Sequence, residues 1–114
     1  GRLIIAFQPH RFSRTELLWN DFIGVFTDNP FNVLLISDIY GAFEQPRPNI
    51  TSERLAKELI VHNPNKKIVY ASEQNSFSAV KKTIDETVQD NDLVLFLGAG
   101  KINSIIDQLI EFAQ

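Results

Sequence analysis

The sequence predicts an α/β domain of three layers, built around a mainly parallel sheet of about four strands. Four short apolar runs, each followed by a helical spacing of apolar residues, support this prediction. Each run is nearly continuous rather than alternating and is rich in Val, Ile and Leu, as is typical of strands buried on both faces. Short connections after the runs favour right-handed crossovers and a Rossmann-like topology.

The predicted strands are residues 3–7, 32–37, 67–71 and 93–97. In the first helix, Ser13 and Glu16 have the spacing of a capping box, so we expect that helix to begin at Ser13. The apolar faces expected for the four helices, in chain order, are Leu18, Phe22, Val25 and Phe26; Leu55, Leu59 and Ile60; Phe77, Val80, Ile84 and Val88; and Ile102, Ile105, Ile106, Leu109 and Ile110.

Length and composition indicate one domain, residues 1–114, with a formal net charge of -3. An acidic balance argues against a nucleic-acid or membrane-surface partner, and no apolar run approaches the ~20 residues of a membrane span. The chain has no cysteine, which excludes disulfides and thiolate metal sites. Because four strands make a small sheet, a further strand and helix on the N-terminal side are expected to be missing.

Ligands of open α/β sheets bind outside the carboxyl ends of the strands. Four segments therefore compete as the site, namely residues 8–14, 37–44, 71–76 and 98–101. The first holds His10, Arg11 and Arg14 at a predicted helix start, where cations oppose the helix dipole unless an anion lies among them. The alternative is that these side chains are solvated or pair with Glu16 and Asp21.

The other segments leave more than one interpretation open. Residues 98–101, GAGK, lack the hydroxyl residue of a P-loop, so they serve either a tight turn or close approach to a ligand. Asp38 could hold a metal or hydroxyl group, or cap backbone amides, and Tyr40 could stack on a ring or cover the sheet edge. Glu73 has no evident partner. No HExxH metal motif or GxSxG nucleophile elbow occurs, so the chain suits a substrate-gripping domain better than a self-contained enzyme.

Three motifs in order, FQPHRFSRT (7–15), SDIYGAFEQPRP (37–48) and FLGAGKI (96–102), resemble the C-terminal domain of the Mur ligases of peptidoglycan synthesis. The resemblance covers nearly the whole chain, and the first motif is the most specific. It implies a fragment of a bacterial, cytoplasmic, ATP-dependent ligase that joins L-alanine to UDP-N-acetylmuramate through an acyl phosphate, in cell-wall biogenesis. The N-terminal and central domains of the same chain would then be its partners, and the isolated chain would be inactive.

The resemblance also implies roles for individual residues. His10, Arg11 and Arg14 would face the alanine carboxylate and the acyl phosphate, with Tyr40 beside them. Glu44 would lie at the nucleotide-side rim, with Gly98, Ala99 and Gly100. No catalytic residue and no metal ligand are expected in this domain alone, and ATP and Mg²⁺ would serve only the full-length enzyme.

The chain departs from the family pattern in several places. The upstream DDYGHHP segment, the P-loop, and the catalytic lysine and metal-binding residues of the central domain do not occur in it. Arg47 and Lys101 replace residues common in the family, and we expect both to be exposed and without consequence. Two alternatives remain: a stand-alone flavodoxin-like module that binds an anion or nucleotide, and an interaction domain that dimerises through a sheet edge.

Overall fold

The protein has a four-stranded, fully parallel sheet with the strand order β3-β2-β1-β4. The computed structural model describes residues 1–72 and 78–98. The strands are β1 (Leu3–Phe7), β2 (Val33–Ser37), β3 (Lys67–Ala71) and β4 (Leu93–Leu97). The predicted α/β class is confirmed. Three of the strands have the predicted bounds, and β2 begins one residue later than predicted.

Four helices connect or follow these strands in the described residues: α1 (Phe12–Leu17), α2 (Trp19–Asp28), α3 (Ser52–His62) and α4 (Ser78–Thr87). The prediction of one helix starting at Ser13 is wrong in two respects. The chain breaks at Leu18 into α1 and α2, and the residue that caps α1 is Arg11. The capping box does not form, because the Ser13 hydroxyl and amide both donate to a residue in another segment.

Apolar residues on the two faces of the sheet form two clusters, which gives the three predicted layers. One face packs against α2 and α3 through Trp19, Phe26, Leu55 and Leu59. The other face packs against Ile84 of α4. Both faces of β2 are covered, since all five of its residues are buried. Among the described helices, none combines the length and apolar character that crossing a membrane requires.

Several apolar residues lie outside the core in spite of their helical spacing. Val25 is 54% exposed, Ile60 is 45% exposed, and Val88 follows the end of α4 at 36% exposed. The prediction that β4 is buried on both faces is also wrong, because Leu93, Leu95 and Leu97 are exposed. In the order of the sheet β4 is an edge strand, and only its Val94 and Phe96 pack against the second cluster. Phe77, the Val80 side chain and residues 99–114 lie outside the described residues.

The strand order fixes where a ligand is expected. Strands β1, β2 and β3 follow one another in one direction, whereas β4 pairs with the opposite side of β1. The order therefore reverses at β1, and a crevice at such a reversal is where open α/β sheets bind ligands. The segments that leave β1 and β4 at this point begin with Gln8 and Gly98.

An ion pair ties the start of β1 to the start of β4 at the opposite end of the sheet. The Arg2 guanidinium lies 2.8 Å from the Asp92 carboxylate, which is 2% exposed and also accepts from the backbone amides of Arg2 and Gln89. These hydrogen bonds stabilise the ionised carboxylate and hold the pKa of Asp92 well below its usual range. The pair closes the amino-terminal edge of the sheet.

This ion pair predicts how stability depends on pH. Because the pKa of Asp92 is lower in the folded state than its unfolded value of about 3.9, the stabilisation is present above that value and is lost as the pH falls. We expect Asp92→Asn to lower the thermal unfolding midpoint at pH 7. Below about pH 5, the midpoint of this variant should decrease less steeply with falling pH than that of the wild type. Asp90→Asn, at an exposed neighbour, should keep the wild-type slope. An unchanged slope in Asp92→Asn would contradict this assignment.

Candidate functional site: a basic cluster at the carboxyl end of β1

Three residues that follow β1 form what we call the basic cluster: His10, Arg11 and Arg14. Together with Ser13 and Leu17 they line a pocket of about 420 Å³. Pro9 and the short helix α1 bring them together, because only four residues separate the end of β1 from the start of α1. The sequence prediction that these side chains share one site is consistent with this geometry.

A second pocket of about 240 Å³ lies at the strand-order reversal. Its lining residues are Phe7, Gln8, His10, Arg14, Leu18, Phe22 and Gly98. His10 and Arg14 line both pockets, so they stand between the basic surface and a mostly apolar recess. Gly98 joins the recess from the end of β4 with a φ of 149°, a conformation that other residues rarely adopt.

Tyr40 is held against His10 by backbone and ring contacts. The Tyr40 amide donates to the Pro9 carbonyl at 2.9 Å, and the Arg11 amide donates to the Tyr40 carbonyl at 2.7 Å. The two rings stack with centroids 5.6 Å apart and planes 21° apart. The segments after β1 and β2 are thus paired beyond the sheet, and His10 is confined to one side of the pocket.

The two arginines of the basic cluster are exposed, and no ion pair joins any member of the cluster to an acidic residue within residues 1–72 and 78–98. The alternative in which they pair with Glu16 is wrong, because Glu16 pairs with Arg47 at 2.9 Å. The predicted exposure of Arg47 is confirmed, although it has this partner. The cluster therefore presents uncompensated positive charge to the pocket.

Glu44 takes the place at the N-terminus of α1 that the sequence assigned to a ligand. Its carboxylate accepts from the Ser13 amide at 2.9 Å and from the Ser13 hydroxyl at 2.5 Å. These bonds, with a further one from the Phe12 amide, hold the pKa of Glu44 below its usual range. The expectation that the helix N-terminus supplies donors to an external anion is thus wrong for these two amides. Any affinity for an anion rests on the side chains of the basic cluster.

Comparison with known proteins gives relatives from several bacteria that share one name. The chain is 43% identical over 101 residues to the UDP-N-acetylmuramate–L-alanine ligase of Trichlorobacter lovleyi, a match covering 89% of this chain and 21% of the relative. It is 39% identical over 110 residues to the ligases of the same name from Legionella pneumophila and Geotalea uraniireducens. Those matches cover 96% of this chain and 22% and 23% of the relatives.

The chain is homologous to part of UDP-N-acetylmuramate–L-alanine ligase. The resemblance noted in the three motifs is thereby confirmed, and the covered shares are consistent with a C-terminal domain. No protein-family model matches the chain. The chain spans about a fifth of the length of these ligases.

Most of the residues expected to form the ligase site lie together. Tyr40 contacts the basic cluster and Gly98 shares a pocket with it. Glu44 adjoins the cluster through Ser13, and its place at a nucleotide-side rim stays a prediction. Ala99 and Gly100 lie outside the described residues, as do Glu73 and Lys101.

Asp38 has a neighbour that the sequence did not indicate. The Tyr70 hydroxyl donates to the Asp38 carboxylate, and burial together with this hydrogen bond raises the pKa of Tyr70. Within residues 1–72 and 78–98 no group of three His, Asp or Glu side chains is arranged to hold a metal ion. At the basic cluster, by contrast, the described residues bring cationic side chains to a pocket, which suits an anionic group.

Three features of the site were not predicted. Leu17, 80% exposed, gives the larger pocket an apolar rim. Arg11 adopts a φ of 68°, which is costly for a residue with a side chain. The link between Ser13 and Glu44 joins residues 31 positions apart. The link could have been anticipated only in part, since both segments were expected at the same edge of a parallel sheet, whereas the backbone strain had no signal in the sequence.

Proposed function

We propose that the chain is the C-terminal domain of an ATP-dependent ligase that joins L-alanine to UDP-N-acetylmuramate, and that it closes over the amino acid. The observation that supports this most strongly is the basic cluster. Two arginines and a histidine, which have no acidic partner among residues 1–72 and 78–98, line one pocket, and His10 and Arg14 also line the recess at the strand-order reversal. An anionic substrate group offsets this charge, and the homologous ligases are named for an amino acid that carries one.

The residues of the basic cluster bind the substrate through different chemical groups. Each guanidinium offers a planar fork that matches a carboxylate or phosphate, with roughly 1.5–3 kcal/mol for each charge-assisted hydrogen bond. Arg11 and Arg14 therefore hold the alanine carboxylate beside the reacting acyl phosphate. His10, fixed by its stacking on Tyr40, donates a hydrogen bond from the same side. The amine of alanine is left free to attack the acyl carbon.

Other parts of the full-length enzyme supply what this chain lacks. ATP and Mg²⁺ bind mainly on the central domain, and the uridine nucleotide binds on the N-terminal domain. This chain contributes the amino-acid side of a cleft that forms when the domains close. Closure excludes water from the acyl phosphate, which would otherwise be hydrolysed.

Calorimetry on the isolated chain, with an assay of the full-length protein, tests this proposal. Association costs roughly 4–15 kcal/mol, which cancels most or all of the roughly 3–9 kcal/mol that two or three charge-assisted hydrogen bonds contribute. We therefore expect the isolated chain to bind ATP, ADP, FMN and phosphate with dissociation constants above about 1 mM. We also expect it to show no ligase activity. The full-length protein should release phosphate from ATP only when alanine and UDP-N-acetylmuramate are both present.

The alternative function, a stand-alone anion- or nucleotide-binding module, gives the opposite result. A binding site complete within residues 1–114 would bind one of these four ligands tightly without the other domains. Tight binding of ATP or FMN by the isolated chain, together with no alanine-dependent reaction in the full-length protein, would overturn the ligase proposal.

A further inference from the structure

Glu44 provides a side-chain link between the two segments that leave neighbouring strands β1 and β2. Its carboxylate receives both the amide and the hydroxyl of Ser13, at 2.9 and 2.5 Å. Ser13 lies between the two arginines of the basic cluster in sequence and lines the same pocket. One side chain from the segment after β2 therefore accepts two hydrogen bonds from the middle of the segment after β1.

The same two segments are joined by backbone contacts on the other side of Arg11. The Arg11 amide donates to Tyr40, and the Tyr40 amide donates to Pro9. Gly41 packs closely on the Phe12 ring, since a Cβ added there would lie 3.1 Å from it. Arg11 thus lies between the backbone hydrogen bonds to Tyr40 and the hydrogen bonds that join Ser13 to Glu44.

Arg11 needs such a support because its backbone is strained. Its φ of 68° and ψ of 143° lie outside the regions that residues with a side chain readily adopt. Strain of this kind costs of order 1–3 kcal/mol and persists only where surrounding contacts determine the conformation. Removing the Glu44 contact takes away one of the two supports of this segment, and a shift of both guanidinium groups is the expected consequence.

We propose that Glu44 is a positioning residue, which fixes Arg11 and Arg14 for the amino-acid carboxylate by holding Ser13. This inference rests on the proposed function, and it assigns to Glu44 a role distinct from contact with a nucleotide. A positioning role predicts a selective effect on the amino-acid substrate. A nucleotide contact predicts an effect on ATP.

The test is steady-state kinetics of the full-length ligase with Glu44→Ala, Glu44→Gln and Ser13→Ala. Misplacement by about 1 Å can cost on the order of 100-fold, so we expect Glu44→Ala to lower kcat/KM for L-alanine by roughly 10- to 100-fold. The KM values for ATP and UDP-N-acetylmuramate should stay unchanged. Glu44→Gln, which still accepts from the Ser13 amide, should recover part of the loss, and Ser13→Ala should add little to Glu44→Ala.

Glu53→Ala is the matched control, because Glu53 is an exposed glutamate on α3 paired only with Lys57 among the described residues. If Glu44→Ala raises the KM values for all three substrates equally, Glu44 is merely a structural cap and the inference is overturned. A rise in the KM for ATP alone would also overturn it. If Glu44→Ala does not fold, Ser13→Ala carries the test, with a smaller loss confined to alanine. Normal kinetics in the Glu44 variants beside impaired Arg14→Ala would overturn this inference and leave the proposed function intact.

Discussion

Arg14→Ala in the full-length ligase is expected to lower kcat/KM for L-alanine by about 10- to 150-fold. The range corresponds to the loss of one charge-assisted hydrogen bond, roughly 1.5–3 kcal/mol. Arg14 lines both pockets and has no acidic partner in the described part of the chain, so its guanidinium is available to a substrate. The KM for alanine should rise, because in the proposed function the carboxylate is already bound in the ground state. A lower kcat should accompany it if the amine is also misplaced.

Two further variants make this result specific. Arg14→Lys keeps the charge but loses the planar fork, so we expect it to recover only part of the activity. Arg47→Ala removes an arginine that is exposed and paired with Glu16, and it should leave the alanine kinetics unchanged. An exposed ion pair of this kind contributes only about 0–1 kcal/mol to stability. Full activity in Arg14→Ala, or an equal loss in Arg47→Ala, would argue against the assignment.

Arg11→Gly is expected to stabilise the isolated chain while it lowers the activity of the full-length enzyme. Glycine adopts a φ of 68° without steric cost, so the substitution relieves strain of order 1–3 kcal/mol. The greater freedom of glycine in the unfolded chain offsets roughly 0.5–1 kcal/mol of this gain. A net gain of about 1 kcal/mol should raise the unfolding midpoint by about 3–5 °C for a domain of this size. Urea unfolding and thermal scans measure it.

The same variant removes a guanidinium from the basic cluster, so kcat/KM for L-alanine should fall by about 10- to 150-fold. Asn49→Gly is the control, because Asn49 also has a positive φ, 66°, but lies away from both pockets. Asparagine tolerates this conformation better than arginine, so the control should gain less stability and keep full activity. A destabilised Arg11→Gly, or one with wild-type alanine kinetics, would contradict the view that strain is retained here for function.

The strands were predictable because of how parallel sheets are buried. A strand covered on both faces must be apolar at nearly every position, so β1 and β2 stand out in the sequence. The same reasoning overstated the burial of β4, which lies at an edge of the sheet, where its leucines are exposed. Helical spacing likewise places Val25 and Ile60 near an apolar face, but only the packing of neighbouring helices decides which positions are covered.

The start of α1 was not predictable from local sequence. Ser13 and Glu16 have the spacing of a capping box, yet Ser13 binds Glu44 and Glu16 pairs with Arg47. Both contacts join positions 31 residues apart, so long-range partners replace the local hydrogen bonds of the capping box. The predicted residues of the basic cluster nevertheless line one pocket, because their location depends on the end of β1 and not on where the helix begins. At the Ser13 amide, the acceptor is the Glu44 carboxylate of the chain itself.

The most direct test of the basic cluster compares two substrates, L-alanine and L-alaninamide, in the wild-type full-length ligase and in Arg11→Ala and Arg14→Ala. L-alaninamide keeps the attacking amine and the methyl group but has no carboxylate. If the cluster binds that carboxylate, the wild-type enzyme prefers alanine. This preference, the ratio of the two kcat/KM values, should then fall by about 10- to 150-fold in at least one variant. A preference that is unchanged in both variants would contradict the account.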